Sequence, residues 1–155
     1  MDKVINITVA GLGGQGVLKV TDILAEVLFD AGYDVKKSEV HGMSQRGGSV
    51  SSEVRFGREV ASPMVPEGES DYLLVLEPTQ LEVNAGKLKA GGVLITPADV
   101  PLGELDNPKT ANIMMLGALS RHFDLPAAAW LTVIHRHLPP KVHEVNDAAF
   151  QLGRR

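Results

Sequence analysis

The chain has 155 residues, 44% hydrophobic and 22% charged, with a formal net charge of −4 and no run of lysine or arginine; it has room for one compact core and no electrostatic ground for binding nucleic acid or an anionic membrane. The absence of cysteine excludes disulfides, a cysteine nucleophile and an iron–sulfur cluster ligated by this chain. No apolar run approaches the roughly 18 residues of a membrane span, and Met1-Asp2-Lys3 leads into a strand pattern instead of a signal peptide, so a cytoplasmic location is expected.

Val4 to Ala10 is rich in β-formers, and Gly11-Leu12-Gly13-Gly14-Gln15-Gly16 follows as a sharp turn. Val17, Val20, Leu24, Val27 and Leu28 then recur at helical spacing up to Gly32, which stands where a left-handed cap is expected. A second strand is predicted over 33–40, and a third over 50–56, where Val50, Ser52, Val54 and Phe56 alternate with Ser51, Glu53 and Arg55. The segment 57–70, with Pro63, Pro66 and Gly68, reads as an irregular surface excursion, and 71–76 as a buried strand closed by Glu77 and Pro78. A helix over about 79–89, a short strand over 93–95 and a turn-rich stretch over 97–108 are expected next. Thr110 is placed to cap a helix running to about Phe123, and two more helices are expected over 126–137 and 142–152.

Strands alternating with helices predict an α/β fold, a single three-layer domain over 1–155 with a mostly parallel, Rossmann-like sheet covered by helices on both faces. Ligands of such sheets gather beyond the carboxyl ends of the strands, where the turn after strand one and the loop after strand two would meet. Backbone donors at Gly13 to Gly16, the start of the first helix and the Arg46 guanidinium would then suit an anion. Gly11, Gly13 and Gly16 also satisfy the dinucleotide pattern G-x-G-x-x-G between a strand and a helix. Its ribose-binding acid should close the second strand, and Glu39 fits that place loosely; a tight turn with no nucleotide explains the glycines equally well.

The most donor-rich segment is His41-Gly42-Met43-Ser44-Gln45-Arg46-Gly47-Gly48-Ser49-Val50. Its glycines allow close backbone approach, and Ser44, Gln45 and Arg46 add side-chain donors, Arg46 as a planar fork for phosphate or carboxylate. Burial of the same residues against a partner subunit is an equal alternative. Within the loop Met43 reads as packing, and His41 as a structural hydrogen-bonding residue that also suits a diphosphate. His135, His137 and His143 do not read as a zinc site, since the first two face different sides of a helix. Asn112, on an otherwise apolar helix stripe, is expected to cap local backbone, with the ligand edge as its second place. Glu77 stands at the carboxyl edge, in a favoured functional position that neighbouring turn donors would also explain. Nothing resembles a nucleophile elbow.

Gly11 to Val17, His41 to Val50, and Val54-Arg55-Phe56-Gly57 together resemble the gamma subunit, or gamma domain, of the 2-oxoacid:ferredoxin oxidoreductases of the pyruvate and ketoacid type. Ser62-Pro63, Asp71-Tyr72, Leu76-Glu77-Pro78, Lys89 to Gly92, Asn112 with Met115 to Ala118, and Asn146 with Ala149-Phe150 and Gly153 follow in that family's order. The resemblance implies a subunit, without turnover of its own, of an enzyme that oxidatively decarboxylates a 2-oxoacid, makes the acyl-coenzyme A and passes electrons to ferredoxin. Thiamine diphosphate, magnesium and the iron–sulfur clusters are then expected on partner subunits, and ferredoxin is reached only through them. No catalytic residue and no metal ligand is assigned to this chain. The resemblance leaves coenzyme A as its candidate ligand, with Gly11, Gly13, Gly14, Gln15, Gly16, His41, Ser44, Gln45, Arg46, Gly47 and Gly48 as the candidate contacts. A stand-alone dinucleotide-binding oxidoreductase and a purely architectural subunit remain alternatives, as does self-association of the isolated chain. The family places substrate choice mostly on other subunits, and chain length leans toward a pyruvate or 2-oxoglutarate system.

Overall fold

The computed structural model describes residues 3–41 and 48–155. Five strands form one sheet: β1 (Ile5–Leu12), β2 (Asp34–His41), β3 (Ser49–Gly57), β4 (Ser70–Val75) and β5 (Leu88–Ile95), in the order β2-β3-β1-β4-β5. β1 is parallel to β4, and β4 to β5, whereas β3 runs antiparallel to both β1 and β2. Four strands therefore share one direction and β3 alone opposes it. The predicted loop between strands two and three is the connection of this antiparallel hairpin.

Side chains of alternate residues face opposite sides of a strand, and here the two sides differ in chemistry. One face presents Ile7, Val9, Val54, Phe56, Leu74 and Ile95 to the main core, shared with helices α1 (Val17–Asp30), α3 (Ala111–Ser120), α4 (Ala127–His137) and α5 (His143–Arg154). Trp130 and Phe150 are fully buried there, each removing enough apolar surface from water to contribute a few kcal/mol, at ~25 cal/mol per Å². The other face carries Asn6, Thr8, Ser51 and Glu53, all buried. It is covered more thinly, by the 58–69 excursion and by the turns around the four-residue helix α2 (Leu81–Asn84). Arg55 fastens the excursion: its guanidinium donates to the Asn6 side chain at 2.9 Å and to the carbonyls of Ser62 and Met64 at 2.8 Å each. Lys87 reaches in from the far side to donate to Ser51 Oγ at 3.2 Å.

The helix expected over 79–89 does not form. That stretch is a chain of short helical turns, with Glu77 capping the first through the Thr79 N–H, and β5 has already begun at Leu88. Gly86 interrupts the segment, and a single turn of helix carries no favourable propagation to offset its nucleation cost. β1 also runs two residues further than expected, so Gly11 and Leu12 are paired strand residues and the turn proper is 13–16.

Candidate functional site

The chain leaves β1 through α1 toward β2 on one side of the sheet, and leaves β4 toward β5 on the other. The strand order thus diverges between β1 and β4, the place where open α/β sheets leave a crevice beyond their carboxyl ends. A cleft of about 640 Å³ lies there, within the range of small-molecule sites. Gly14 and Gln15 line it from the turn after β1, Leu76, Glu77 and Pro78 from the end of β4, and Asn112 from the first turn of α3.

Each polar group is held by a local reason. Gln15 folds back so that its Oε1 accepts the Leu12 N–H at 2.7 Å, while its Nε2 donates to Glu77 Oε1 at 3.3 Å. The second Glu77 oxygen accepts the Thr79 N–H at 3.2 Å. One amide and one carboxylate therefore tie the turn after β1 to the end of β4. Gly16 precedes α1 with φ 82° and its carbonyl accepts the Val20 N–H at 3.0 Å; that left-handed conformation and the close approach of Asn112 both require glycine. α1 begins at Val17, two residues after Gln15 of the cleft wall, so its positive dipole end lies beside the cleft. Lys109 adds an exposed cation at the rim.

The predicted convergence is present on one flank. Gly13 N–H donates to the Gly48 carbonyl at 3.1 Å, and Leu12 pairs with Ser49 and His41 with Val50, so the β1 turn and the β2–β3 hairpin share one edge. Gly11, Gly13, Gly14, Gln15, Gly16 and Gly48 lie at that edge; Ser44, Gln45, Arg46 and Gly47, together with Gly42 and Met43, fall outside the described residues.

Two expectations are corrected. Asn112 does not cap backbone: the described residues offer its amide no hydrogen bond, and it stands against Gly16 and lines the cleft. Glu39 is not beside the glycine turn, because β3 intervenes between β2 and β1 and puts two strand spacings, about 10 Å, between them. The ribose-binding arrangement of a dinucleotide fold therefore has no counterpart at Glu39. Glu77 both accepts turn donors and lines the cleft, so the two readings of it coincide. His135 Nε2 contacts both Asp147 oxygens at 2.8 Å, His137 Nε2 meets Glu26 at 3.0 Å, and His143 Nε2 donates to the Leu138 carbonyl at 2.7 Å.

Sequence reasoning missed Lys109 and the apolar wall made by Pro97, Leu102, Pro108 and Met115. The signal was available: the turn-rich stretch 97–108 follows directly from the carboxyl end of a sheet strand.

The family model described as pyruvate ferredoxin/flavodoxin oxidoreductase matches residues 6–102. The chain belongs to this family. Indolepyruvate oxidoreductase subunit IorB of Thermococcus kodakarensis is 36% identical, over 97% of this chain and 95% of that protein. The 2-oxoglutarate synthase subunit KorC of Archaeoglobus fulgidus is 28% identical over 99% of this chain and 88% of its own length. Among solved structures, the keto/oxoacid ferredoxin oxidoreductase gamma subunit of Geobacter sulfurreducens superimposes with a TM-score of 0.81 at 26% identity, covering 97% of this chain and 96% of that one. The mixed α/β fold with its five-stranded sheet is like that of this gamma subunit; the expectation of helices on both faces of the sheet is corrected, since α1, α3, α4 and α5 all pack on the face that carries the main core. Among the described residues no helix is long and apolar enough to cross a membrane.

Proposed function

We propose that this chain is the gamma-type subunit of a 2-oxoacid:ferredoxin oxidoreductase, a single gamma-type domain over 1–155, and that its cleft forms the coenzyme A side of the shared site. The observation that carries the reading is the 640 Å³ cleft at the β1/β4 divergence, lined by Gly14 and Gln15 of the glycine turn, by Glu77 after β4 and by Asn112 of α3, while the β2–β3 hairpin is bonded to the other flank of the same turn through Gly13 and Gly48. The residues fit a ligand with an apolar arm and an anionic end. Leu76, Pro78, Pro97 and Met115 give the arm a dry wall. Backbone N–H groups of the β1 turn and Lys109 at the rim supply donors for phosphate; Arg46, which lies outside the described residues, is the further donor that the sequence offers. Asn112 brings an amide without a partner in the described residues, suited to the amides of such an arm.

In this reading the chain performs no bond making. It holds the acyl acceptor against partner subunits that carry thiamine diphosphate, magnesium and iron–sulfur clusters, while the 2-oxoacid loses carbon dioxide and its electron pair passes to ferredoxin. An aryl pyruvate is the substrate class put first, because identity to the indolepyruvate subunit exceeds that to the 2-oxoglutarate subunit over nearly the same share of the chain. The lean from chain length toward pyruvate or 2-oxoglutarate is outweighed by that likeness.

The test is made on the assembled complex carrying Arg46→Ala or Asn112→Ala. A raised KM for coenzyme A, with the KM for the 2-oxoacid unchanged, is the expected result. Unaltered coenzyme A affinity and turnover in both variants would sink the reading.

A further inference from the structure

The sheet has two outer edges of unlike character. At β5 the pairing with β4 shifts register between Ser70 and Tyr72, and Gly91 with φ 80° breaks the strand's regularity. At β2 the ladder to β3 is continuous from Asp34 to His41, residue for residue. The opposite side of β2 has no strand against it among the described residues, so alternate residues present backbone N–H and C=O groups outward in regular order.

Such edges are commonly protected by charge, and β2 carries Asp34, Lys36, Lys37 and Glu39. Here the charges favour one self-pairing. Two copies related by a two-fold axis normal to the sheet form an antiparallel ladder centred on a single residue, because directly opposed residues must share a face. Centring on Lys36, Lys37 or Glu39 opposes that residue to its own charged copy, which is unfavourable. Centring on Val35 or Val40 runs off the end of the strand. Centring on Ser38 sets Lys37 of each copy opposite Glu39 of the other, twice over, with Lys36 opposite Val40 and Val35 opposite His41.

The surroundings suit the same register. Lys37 and Glu39 share the face of β2 that looks toward α1, where Lys37 also pairs with Asp22. Beside that face runs a groove of about 360 Å³, floored by Val35 and Ala25, walled by Phe29, which is 68% exposed, and rimmed by charges of both signs at Asp22, Glu26 and Lys37. A second copy's β2 would extend the floor of this groove and bring matching charges of its own.

We propose that the outer edge of β2 pairs with the same edge of a second copy of this chain, in an antiparallel ladder centred on Ser38 that joins two five-stranded sheets into one. The surface lies outside the cleft, and the proposal stands whether or not the cleft takes coenzyme A.

The test uses sedimentation equilibrium of the full chain with single charge reversals K37E and E39K, each checked by circular dichroism for retained fold. The unaltered chain is expected to approach twice its 16.6 kDa mass with rising micromolar concentration. Each single reversal opposes like charges twice across the axis and weakens association by about tenfold or more. An equimolar mixture of the K37E and E39K chains restores opposite charges at both pairs and is expected to recover the dimer, as is the double variant K37E/E39K. A chain that stays monomeric at high micromolar concentration would overturn the proposal. So would a dimer indifferent to either reversal, or a mixture no tighter than its components.

Discussion

Replacing Gly16 with alanine tests the coupling between the glycine turn and the cleft. At φ 82° an L-residue carries a left-handed strain of about 1–2 kcal/mol. The added Cβ would lie 2.4 Å from Asn112 Nδ2, against an ordinary contact of 3.4–4 Å. The amide must retreat by about 1 Å, and because it ends a side chain it does so by leaving its rotamer, at about 0.5–1.5 kcal/mol. The two costs together come to about 2 kcal/mol, or roughly 4–8 °C in Tm for a chain of this size. In an Asn112→Ala background the clash disappears, since the Asn112 Cβ is 3.8 Å away, and only the backbone strain persists. A double-mutant cycle in urea should therefore give a coupling of about 1 kcal/mol, above the ~0.5 kcal/mol within which independent sites add. The reasoning fails if Gly16→Ala costs the same in both backgrounds, or costs nothing.

Four further perturbations follow from the packing and the charges. Gly117 of α3 and Gly153 of α5 bring the two helix backbones together, and a Cβ on Gly117 would stand 2.2 Å from the Phe150 carbonyl oxygen; Gly117→Ala should lose about 2 kcal/mol after its ~1 kcal/mol gain in helix propensity. Gly86→Ala, which meets nothing within 4 Å, should hold or raise Tm in the same thermal melt. Burial pushes the Glu53 carboxyl above its ordinary range despite Lys87 nearby, so its contribution to stability is full below the ordinary carboxyl pKa and is lost as pH rises through the raised value. Melts across pH should show Glu53→Gln gaining on the parent from about pH 4.5 upward, and a constant difference would refute the assignment. Gln15→Glu keeps the acceptor for the Leu12 N–H but sets a second carboxylate beside Glu77. The pair shares a raised pKa, so this variant should match the parent near pH 4 and fall below it by about 1–3 kcal/mol at pH 8.

Much of this architecture was legible because its signals are local. Val17 to Leu28 at helical spacing, ended by Gly32, marked α1, and the alternation from Val50 to Phe56 marked β3, whose inner residues Val54 and Phe56 face the core. The Ser-Gln-Arg-Gly-Gly loop, at its distance from the glycine turn, carried the family. Strand order was not legible, since nothing in 33–41 states that β3 will insert between β2 and β1; that depends on a hairpin closing in preference to a parallel crossover. Asn112 was misread for a similar reason: its contact with Gly16 joins residues nearly a hundred positions apart. The 79–89 segment misled because Leu81 and Val83 suggest a helix, yet Val83 is 66% exposed and gains nothing from helical burial. Lys109 was missed because a lone lysine in a turn carries no pattern until the cleft gives it a place.

The decisive measurement is native affinity purification of the full chain from its own cells under anaerobic conditions, with mass spectrometry of the eluate and ferredoxin reduction on a panel of 2-oxoacids. Co-purification of subunits with thiamine and iron–sulfur motifs, and ferredoxin reduction that depends on coenzyme A and is fastest with an aryl pyruvate, is the expected result. A chain that emerges without such subunits, or a complex whose activity ignores coenzyme A, would contradict the function assigned to the cleft.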